Sequence, residues 1–256
     1  MLITGATDGI GEELARRLVA DGSRVIVHGR SEERAQAARD RVGAADAAAA
    51  DLGSFARVRA LADAIGSRYE RIDALVNNAG IGFGTAPARG VVTEDGHEPT
   101  WQVNFLSAFL LTLALRDQLA AGDGGRVVNV SSGVHASGEV DLQQPDAPRR
   151  ASPYAQSKVA QVMFARELGA QWRDLGVDVN ACSPGWIATK MGGAGGGALA
   201  EGADTPFWLV TDPDLDGTTG RYFVERREQR PNPQADDAGA RRRLWELAAA
   251  ATGANH

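Results

Sequence analysis

The 256-residue sequence contains a single cysteine, Cys182. One thiol excludes an internal disulfide and any all-cysteine metal site. Its place at the end of the apolar run Val177 to Cys182 reads as a buried, inert thiol. Histidine is nearly as scarce: His28, His97, His135 and His256 are scattered, without cysteine or carboxylate partners, so no metal site is expected. No stretch reaches the ~18 to 20 consecutive apolar residues of a membrane-spanning helix. The N-terminus lacks the charged region followed by an apolar one that marks a secretory signal. By elimination the expected compartment is the cytoplasm, with no membrane partner. A net charge of −6 gives no support for nucleic acid as a partner. The basic clusters Arg149-Arg150, Arg226-Arg227 and Arg241-Arg242-Arg243 read as solvated surface charge.

What is present is an ordinary globular composition, 43% hydrophobic and 23% charged. Short apolar runs alternate with longer amphipathic ones. Strands are expected at Leu2-Ile3-Thr4, Arg24 to His28, Ile72 to Asn77, Arg126 to Ser131 and Val177 to Cys182. Helices are expected at Gly11 to Ala20, Glu32 to Val42, Trp101 to Ala121 and Tyr154 to Leu175, with Pro99 suited to a first turn. Ala45 to Ala50 has helical propensity, but the alternation requires a third strand there, and Asp51-Leu52-Gly53-Ser54 then supplies a turn and a cap. Continuous apolar strands joined by helices predict an α/β, Rossmann-type doubly wound parallel sheet of about seven strands, with helices on both faces. Gly133 to Pro153 and Met191 to Pro206 read as loops inside one domain spanning residues 1–256; a segment at about 190–210 would border the substrate. The chain begins within its first strand.

Thr4-Gly5-Ala6-Thr7-Asp8-Gly9-Ile10-Gly11 falls where the first strand meets the first helix. Gly5 would permit the tight turn, Gly9 a close approach to a pyrophosphate and Gly11 close helix–strand packing. The helix N-terminus then presents N–H groups and partial positive charge to phosphate. Arg30 follows the second strand where an acidic residue would favour NAD(H). Gly29 and Arg30 instead leave room and a cation for a 2′-phosphate, which favours NADP(H); Asp8 argues the other way. Asp51, beside Leu52, reads either as an acceptor for an adenine amine or as a helix N-cap.

Tyr154 and Lys158 are four residues apart and so share one helix face. A free tyrosine, with a pKa of about 10, is a poor proton shuttle at neutral pH, and a nearby ammonium favours its phenolate. Ser131 and Ser132, Asn77-Asn78-Ala79-Gly80, and Pro184-Gly185-Trp186-Ile187-Ala188-Thr189 all fall at the carboxyl ends of expected strands, and Asn104 lies on the helix between. Taken in order from residue 2 to 189, these motifs resemble the short-chain dehydrogenase/reductase family. The resemblance implies a catalytic set of Asn104, Ser132, Tyr154 and Lys158. Ser132 would orient the substrate oxygen, with Ser131 and Ser137 less suited. Tyr154 would act as acid and base, and Lys158 would tune it and bind the nicotinamide ribose. The Asn104 carbonyl would hold a relay water. Gly5, Thr7, Asp8, Gly9, Ile10, Arg30, Asp51, Leu52, Asn78, Ala79, Gly80, Pro184, Gly185, Ile187 and Thr189 would contact the cofactor, together with Tyr154 and Lys158.

Tyr154 follows Ser132 by 22 positions, and Ser131 to Leu142, Thr93 to Glu98 and Gly217 to Phe223 resemble the retinol dehydrogenase and protochlorophyllide reductase-like branch. That branch implies NADP(H) and fits Ala240 to Leu247 as a last helix. Gly82, Phe83, Trp186, Met191, Phe207 and Trp208 are the apolar residues expected near a small-molecule carbonyl or secondary alcohol. Met191 to Gly202 holds six glycines and reads as a lid. His135 reads as a loop residue rather than a catalytic one. The family implies a homodimer or homotetramer, although the long loop before Tyr154 could obstruct the helices that would associate. A cofactor-binding regulator without turnover, an NAD-dependent alcohol dehydrogenase and a sugar-nucleotide epimerase are the alternatives. The complete catalytic set opposes the first, and chain length and glycine spacing oppose the last.

Overall fold

The computed structural model describes residues 1–122, 124–149 and 151–254; Arg150 and His256 lie outside the described residues. Eight strands form one sheet: β1 (Leu2–Ile3), β2 (Ile26–Gly29), β3 (Asp46–Ala49), β4 (Ala74–Asn77), β5 (Gly125–Val130), β6 (Val177–Ser183), β7 (Tyr222–Val224) and β8 (Arg227–Glu228), in the order β3-β2-β1-β4-β5-β6-β7-β8. All pairs are parallel except β7 with β8. The order reverses between β1 and β4, and a doubly wound sheet opens a ligand crevice at that point.

Period-two alternation divides the core between the two faces. Leu2, Leu75, Val127 and Val179 pack under α3 (Phe55–Arg68), α5 (Ser107–Ala114), α7 (Pro153–Gln171) and α10 (Ala238–Thr252). Ile3, Val27, Val76 and Val128 pack under α1 (Gly9–Ala20), α2 (Glu32–Val42) and α8 (Leu199–Thr211). The alanine-rich segment is indeed a strand: β3 runs in full register with β2, so tertiary pairing overrides helical propensity.

Four sequence expectations need correction. The eighth strand was missed because its hairpin turns through Glu225 and Arg226, both at positive φ (50° and 57°), with no Asn-Gly signature. Arg226 is held there by Thr205 and by a bidentate pairing with Asp204. The helix at Phe55–Arg68 was also missed, and its N-cap is Ser54; Asp51 instead accepts from the Gly53 N–H within the turn. Met191 to Pro206 is not all loop, because α8 begins at Leu199 and carries Pro206 inside it. Its buried face of Gly202, Ala203, Thr205, Leu209 and Val210 outweighs the lost backbone bond. Finally, the long helix expected at Trp101 to Ala121 is broken into α4 (Pro99–Trp101), a π-helical turn (Gln102–Leu106), α5 and α6 (Arg116–Ala120), with Pro99 in its first turn as expected. The loop expected after Gly133 opens with a 3-10 turn, Gly133–Ser137.

Candidate active site

The glycine turn is stitched to the end of β4. Thr4 Oγ1 donates to the Val76 carbonyl at 3.2 Å and accepts from the N–H groups of Asn78 and Ala79, each at 3.0 Å. Asn78 Nδ2 donates back to the carbonyls of Thr4 (2.9 Å) and Gly5 (3.1 Å). Gly5 has φ +64°, and a Cβ there would lie 2.8 Å from Ala79 Cα, so only glycine fits. A Cβ on Gly11 would lie 2.4 Å from Asn78 Nδ2 and from the Gly5 carbonyl.

His28 braces this turn from β2: its Nδ1 accepts from Gly5 N–H (3.2 Å), and its Nε2 faces the Ala50 carbonyl (3.1 Å). One neutral tautomer satisfies both contacts, and burial holds the ring's pKa down at about 4. Asp8 caps no N–H of α1; its carboxylate pairs with Lys190 and sits 3.7 Å from Arg34. Arg30 is exposed at the end of β2 and lines, with Ser31 and Asp51, a groove of about 670 Å³ along the outer edge of β3. Gly29 is a packing requirement, since a Cβ would lie 2.5 Å from Thr7 Cγ2. The Leu52 carbonyl accepts from Ser107 Oγ at 2.6 Å.

The expected catalytic residues converge beyond β5. Ser131 turns inward, and its hydroxyl donates to the Lys158 carbonyl (2.8 Å). Ser132 caps the following 3-10 turn, accepting from the Val134 N–H, and its hydroxyl pulls the Tyr154 phenol's pKa down. Ser137 is exposed and lies one turn on. Lys158 is buried, and its Nζ donates to the carbonyls of Val130 (2.9 Å) and of the Gln161 side chain (3.0 Å). The Asn104 side chain grips the Ile81 backbone, accepting from its N–H (2.8 Å) and donating to its carbonyl (3.0 Å), and also donates to Ser157 Oγ (3.0 Å). A Cβ on Gly80 would fall between Asn104 Oδ1 (3.2 Å) and Lys158 Nζ (3.6 Å).

Two electrostatic details depart from the sequence reading. Burial pushes the Tyr154 phenol above its ordinary value, with Ser132 pulling the other way. Burial also lowers Lys158 to about 7. The ammonium lies 5.5 Å from the Tyr154 ring centroid and is bonded elsewhere, so it does not set the phenol's pKa in this geometry. Cys182, buried on β6, is pushed up to about 12, as an inert thiol should be.

Gly82 presses against the Tyr154 ring, and the Phe83 ring lies tilted against it with centroids 4.7 Å apart while remaining 59% exposed. Trp186 is 70% exposed. Phe207 and Trp208 do not join them. Phe207 lies under Arg17, and Trp208 packs edge-on to Phe223, both on the α1/α8 side. The glycine-rich segment folds back on the strand end. Ile187 bridges Gly197, Thr189 bridges Gly193, and Thr189 Oγ1 accepts from Gly192 N–H. Gly185 has φ +83° beside Pro184, and Ile10 faces Gly202.

The short chain dehydrogenase family model matches residues 1–196. The chain belongs to the short-chain dehydrogenase/reductase family. It is 36% identical over 273 residues to a Streptomyces sp. (strain C5) protein bearing the name of a daunorubicin C-13 ketoreductase, DnrU, covering 99% of this chain and 92% of that one. It is 33% identical over 282 residues to retinol dehydrogenase 13 of Homo sapiens, covering 99% and 84%. A crystal structure of a variant of actinorhodin polyketide ketoreductase with NADPH superposes with a TM-score of 0.71 at 28% identity, covering 87% of this chain and 93% of that one. This short-chain dehydrogenase/reductase is therefore an NAD(P)-dependent oxidoreductase of the retinol dehydrogenase-like branch, acting on a carbonyl or alcohol of a small molecule. No described helix is long and apolar enough to cross a membrane.

Sequence reasoning missed Thr4, His28 and Gln161. Thr4 and His28 bond backbone groups distant in sequence, which no local pattern announces. Gln161 stands three residues after Lys158 on the same helix, and that spacing was a usable signal.

Proposed function

We propose that this enzyme is an NADP(H)-dependent reductase of apolar ketones, reversible as a secondary alcohol dehydrogenase, in which Tyr154 exchanges the proton. The observation that carries this reading is the meeting of Ser132, Tyr154 and Lys158 just beyond the carboxyl end of β5.

The residues present fit a dinucleotide. Gly5 and Gly9 adopt positive φ (64° and 59°), and the space beside Gly9 is closed only by Thr189 Cγ2 at 3.6 Å. The N-terminus of α1 is left without a side-chain cap. Gly5, Thr7, Asp8, Gly9 and Ile10 would hold the pyrophosphate end, and Asp51, Leu52, Asn78, Ala79 and Gly80 the adenosine. Pro184, Gly185, Ile187 and Thr189 would hold the nicotinamide end, whose bound ring supplies the hydride.

Ser132 orients the substrate oxygen toward Tyr154 and donates to it. Tyr154 gives its proton to that oxygen in reduction and removes it in oxidation. Its raised pKa keeps it protonated before reduction. Lys158, with two N–H groups already on carbonyl oxygens, would hold the ribose hydroxyls of the bound cofactor with its third. Asn104 holds the Ile81 turn that carries Gly80 and Gly82 against this group.

Two observations support NADP(H). Arg30 is exposed just after β2, where the ribose end of the cofactor would lie, and pairs with no carboxylate among the described residues. The carboxylate of Asp8, which would repel a 2′-phosphate, is offset by Lys190 and Arg34. The ketoreductase names among the relatives, and the exposed Phe83 and Trp186, support an extended apolar ketone.

The test is NADPH oxidation by the purified protein across ketones, aldehydes and quinones, with Tyr154→Phe beside the parent. The parent should turn over at least one ketone. Tyr154→Phe should lose on the order of 10³-fold in kcat while binding NADPH nearly as before. Parent-like turnover by Tyr154→Phe would remove the mechanism.

A further inference from the structure

Lys158 is joined to the broken helix by a side chain that the catalytic reading does not use. Gln161 is 1% exposed, one turn along α7 from Lys158. Its Oε1 accepts from Lys158 Nζ at 3.0 Å, and its Nε2 donates to the Asn104 carbonyl at 2.8 Å. That carbonyl lies in the π-helical turn Gln102–Leu106, where the Ser107 N–H reaches back five residues to Gln102. π-Turns recur at functional sites and widen the helix around the residue they carry. The Gln161 backbone is fixed as well, since its carbonyl accepts from Asn129 Nδ2 at 3.2 Å, and Asn129 in turn accepts from Asn77 at 2.9 Å. A buried carboxamide with both ends bonded has one orientation, because reversing it would oppose donor to donor.

We propose that Gln161 is a positioning residue that couples the Lys158 ammonium directly to the Asn104 carbonyl, standing where the family resemblance places a relay water. This rests on the reading of Lys158 as part of the catalytic set. An amide neither gains nor loses a proton in the working pH range, so the link orients Lys158 and stabilises its charged form without conducting protons. Two of the three N–H groups point at carbonyl oxygens, which offsets part of the cost of burying the ammonium. Among the described residues, the titratable groups facing Lys158 are Tyr154 on its own helix and Cys182 on β6. β5 and the π-turn present carbonyls and amides, and the loop after β4 places Gly80 beside Nζ.

The sequence provides a direct probe, because its only lysines are Lys158 and Lys190. In the full chain labelled with [13C]-lysine, two side-chain signals titrate, and Lys190→Arg assigns them. In Gln161→Met, which keeps the volume and removes the acceptor, the Lys158 midpoint should fall. In Gln161→Glu, which places a carboxylate there, it should rise by about one pH unit. Lys190 should not move in either variant, and the pH profile of kcat/KM should shift in the same directions, with kcat in Gln161→Met down on the order of 10-fold. If Gln161→Met does not fold, Gln161→Asn, too short to span both partners, carries the downward arm. Parent-like Lys158 midpoints in folded Gln161→Met and Gln161→Glu overturn the proposal. Turnover surviving in Tyr154→Phe would overturn the function reading instead and leave the lysine titration intact.

Discussion

Around Lys158 the protein closes on itself. Asn77, Asn104, Asn129, Ser131 and Gln161 are buried, and their side chains join four separate elements through hydrogen bonds of 2.8 to 3.2 Å. Around Phe83 and Trp186 the reverse holds: two large aromatics stand mostly in solvent, with Val91 and Val92 also exposed nearby in sequence. Lys158 and Phe83 both border Tyr154, while Trp186 lies over the glycine-rich segment. The first region fixes where a proton is exchanged, because its buried side chains are held in place by these bonds, with Asn77 Oδ1 the one acceptor among them left without a partner. The second leaves apolar surface that only a substrate or a partner could cover. Chemistry and substrate choice are thus carried by parts of the molecule with opposite degrees of internal bonding, and the two should respond differently to substitution.

The sharpest way to break the distinction is at Gly82, where floor and rim touch. A Cβ there would lie 2.4 Å from Tyr154 Cδ2. Gly82→Ala should displace the phenol and reduce kcat/KM on the order of 10²-fold, with a thermal midpoint near that of the parent. A loss confined to KM would mean that the ring tolerates the shift. The next effect concerns the buried brace at the cofactor end. His28 has a folded pKa of about 4 against an ordinary 6.5. The unfolded chain therefore takes up a proton between pH 6.5 and 4 that the folded chain refuses, so stability is full above 6.5 and falls as pH drops through that window. The loss from this residue approaches about 3 kcal/mol at the acid end; His135, also held low by burial, adds in the same direction. Urea unfolding at pH 7.5 and 4.5 measures the drop, and His28→Gln should flatten it. An unchanged slope in that variant would remove His28 as the source.

The contrast also explains what was legible. The sheet, the glycine turn and the Tyr154–Lys158 step could be read in advance, because each rests on local spacing: apolar runs, glycines at a strand–helix junction, a four-residue step on one helix; Asn104 and Ser132 were named only through the family resemblance. The β7–β8 hairpin was not legible, because Glu225 and Arg226 are forced into positive φ by contacts with Thr205 and Asp204 rather than by their own preference. The start of α8 was hidden by Pro206, an ordinary helix breaker that burial overrides. Phe207 and Trp208 looked like pocket residues by proximity in sequence to the glycine-rich segment, but the helix turns them toward Arg17 and Phe223. The expectation that the ammonium, with an oxidised nicotinamide ring, would lower the tyrosine's pKa left out desolvation, which acts on both groups.

A smaller effect tests the cofactor end of the rim. Arg30 is exposed beside the β3 groove. Arg30→Ala should weaken NADPH on the order of 10-fold and leave NADH nearly unchanged, as measured by cofactor fluorescence titration. Equal losses for the two cofactors would transfer the selectivity to Arg34 and Lys190, which already stand at Asp8.

The smallest effect is the one that decides whether the rim selects substrate. Phe83 packs tilted against Tyr154 at 4.7 Å between ring centroids and is otherwise open to solvent. If it serves as the apolar wall for a substrate held over the tyrosine, Phe83→Ala should raise KM for an extended aromatic ketone by about 2- to 10-fold, the equivalent of one aromatic contact. The same variant should leave kcat for that ketone, and both constants for a small cyclic ketone, within about twofold, because neither needs the second ring. A matching fall in kcat for both substrates would mean that Phe83 orients the Tyr154 ring itself. The boundary between bonded floor and open rim would then lie outside Phe83 rather than at the tyrosine.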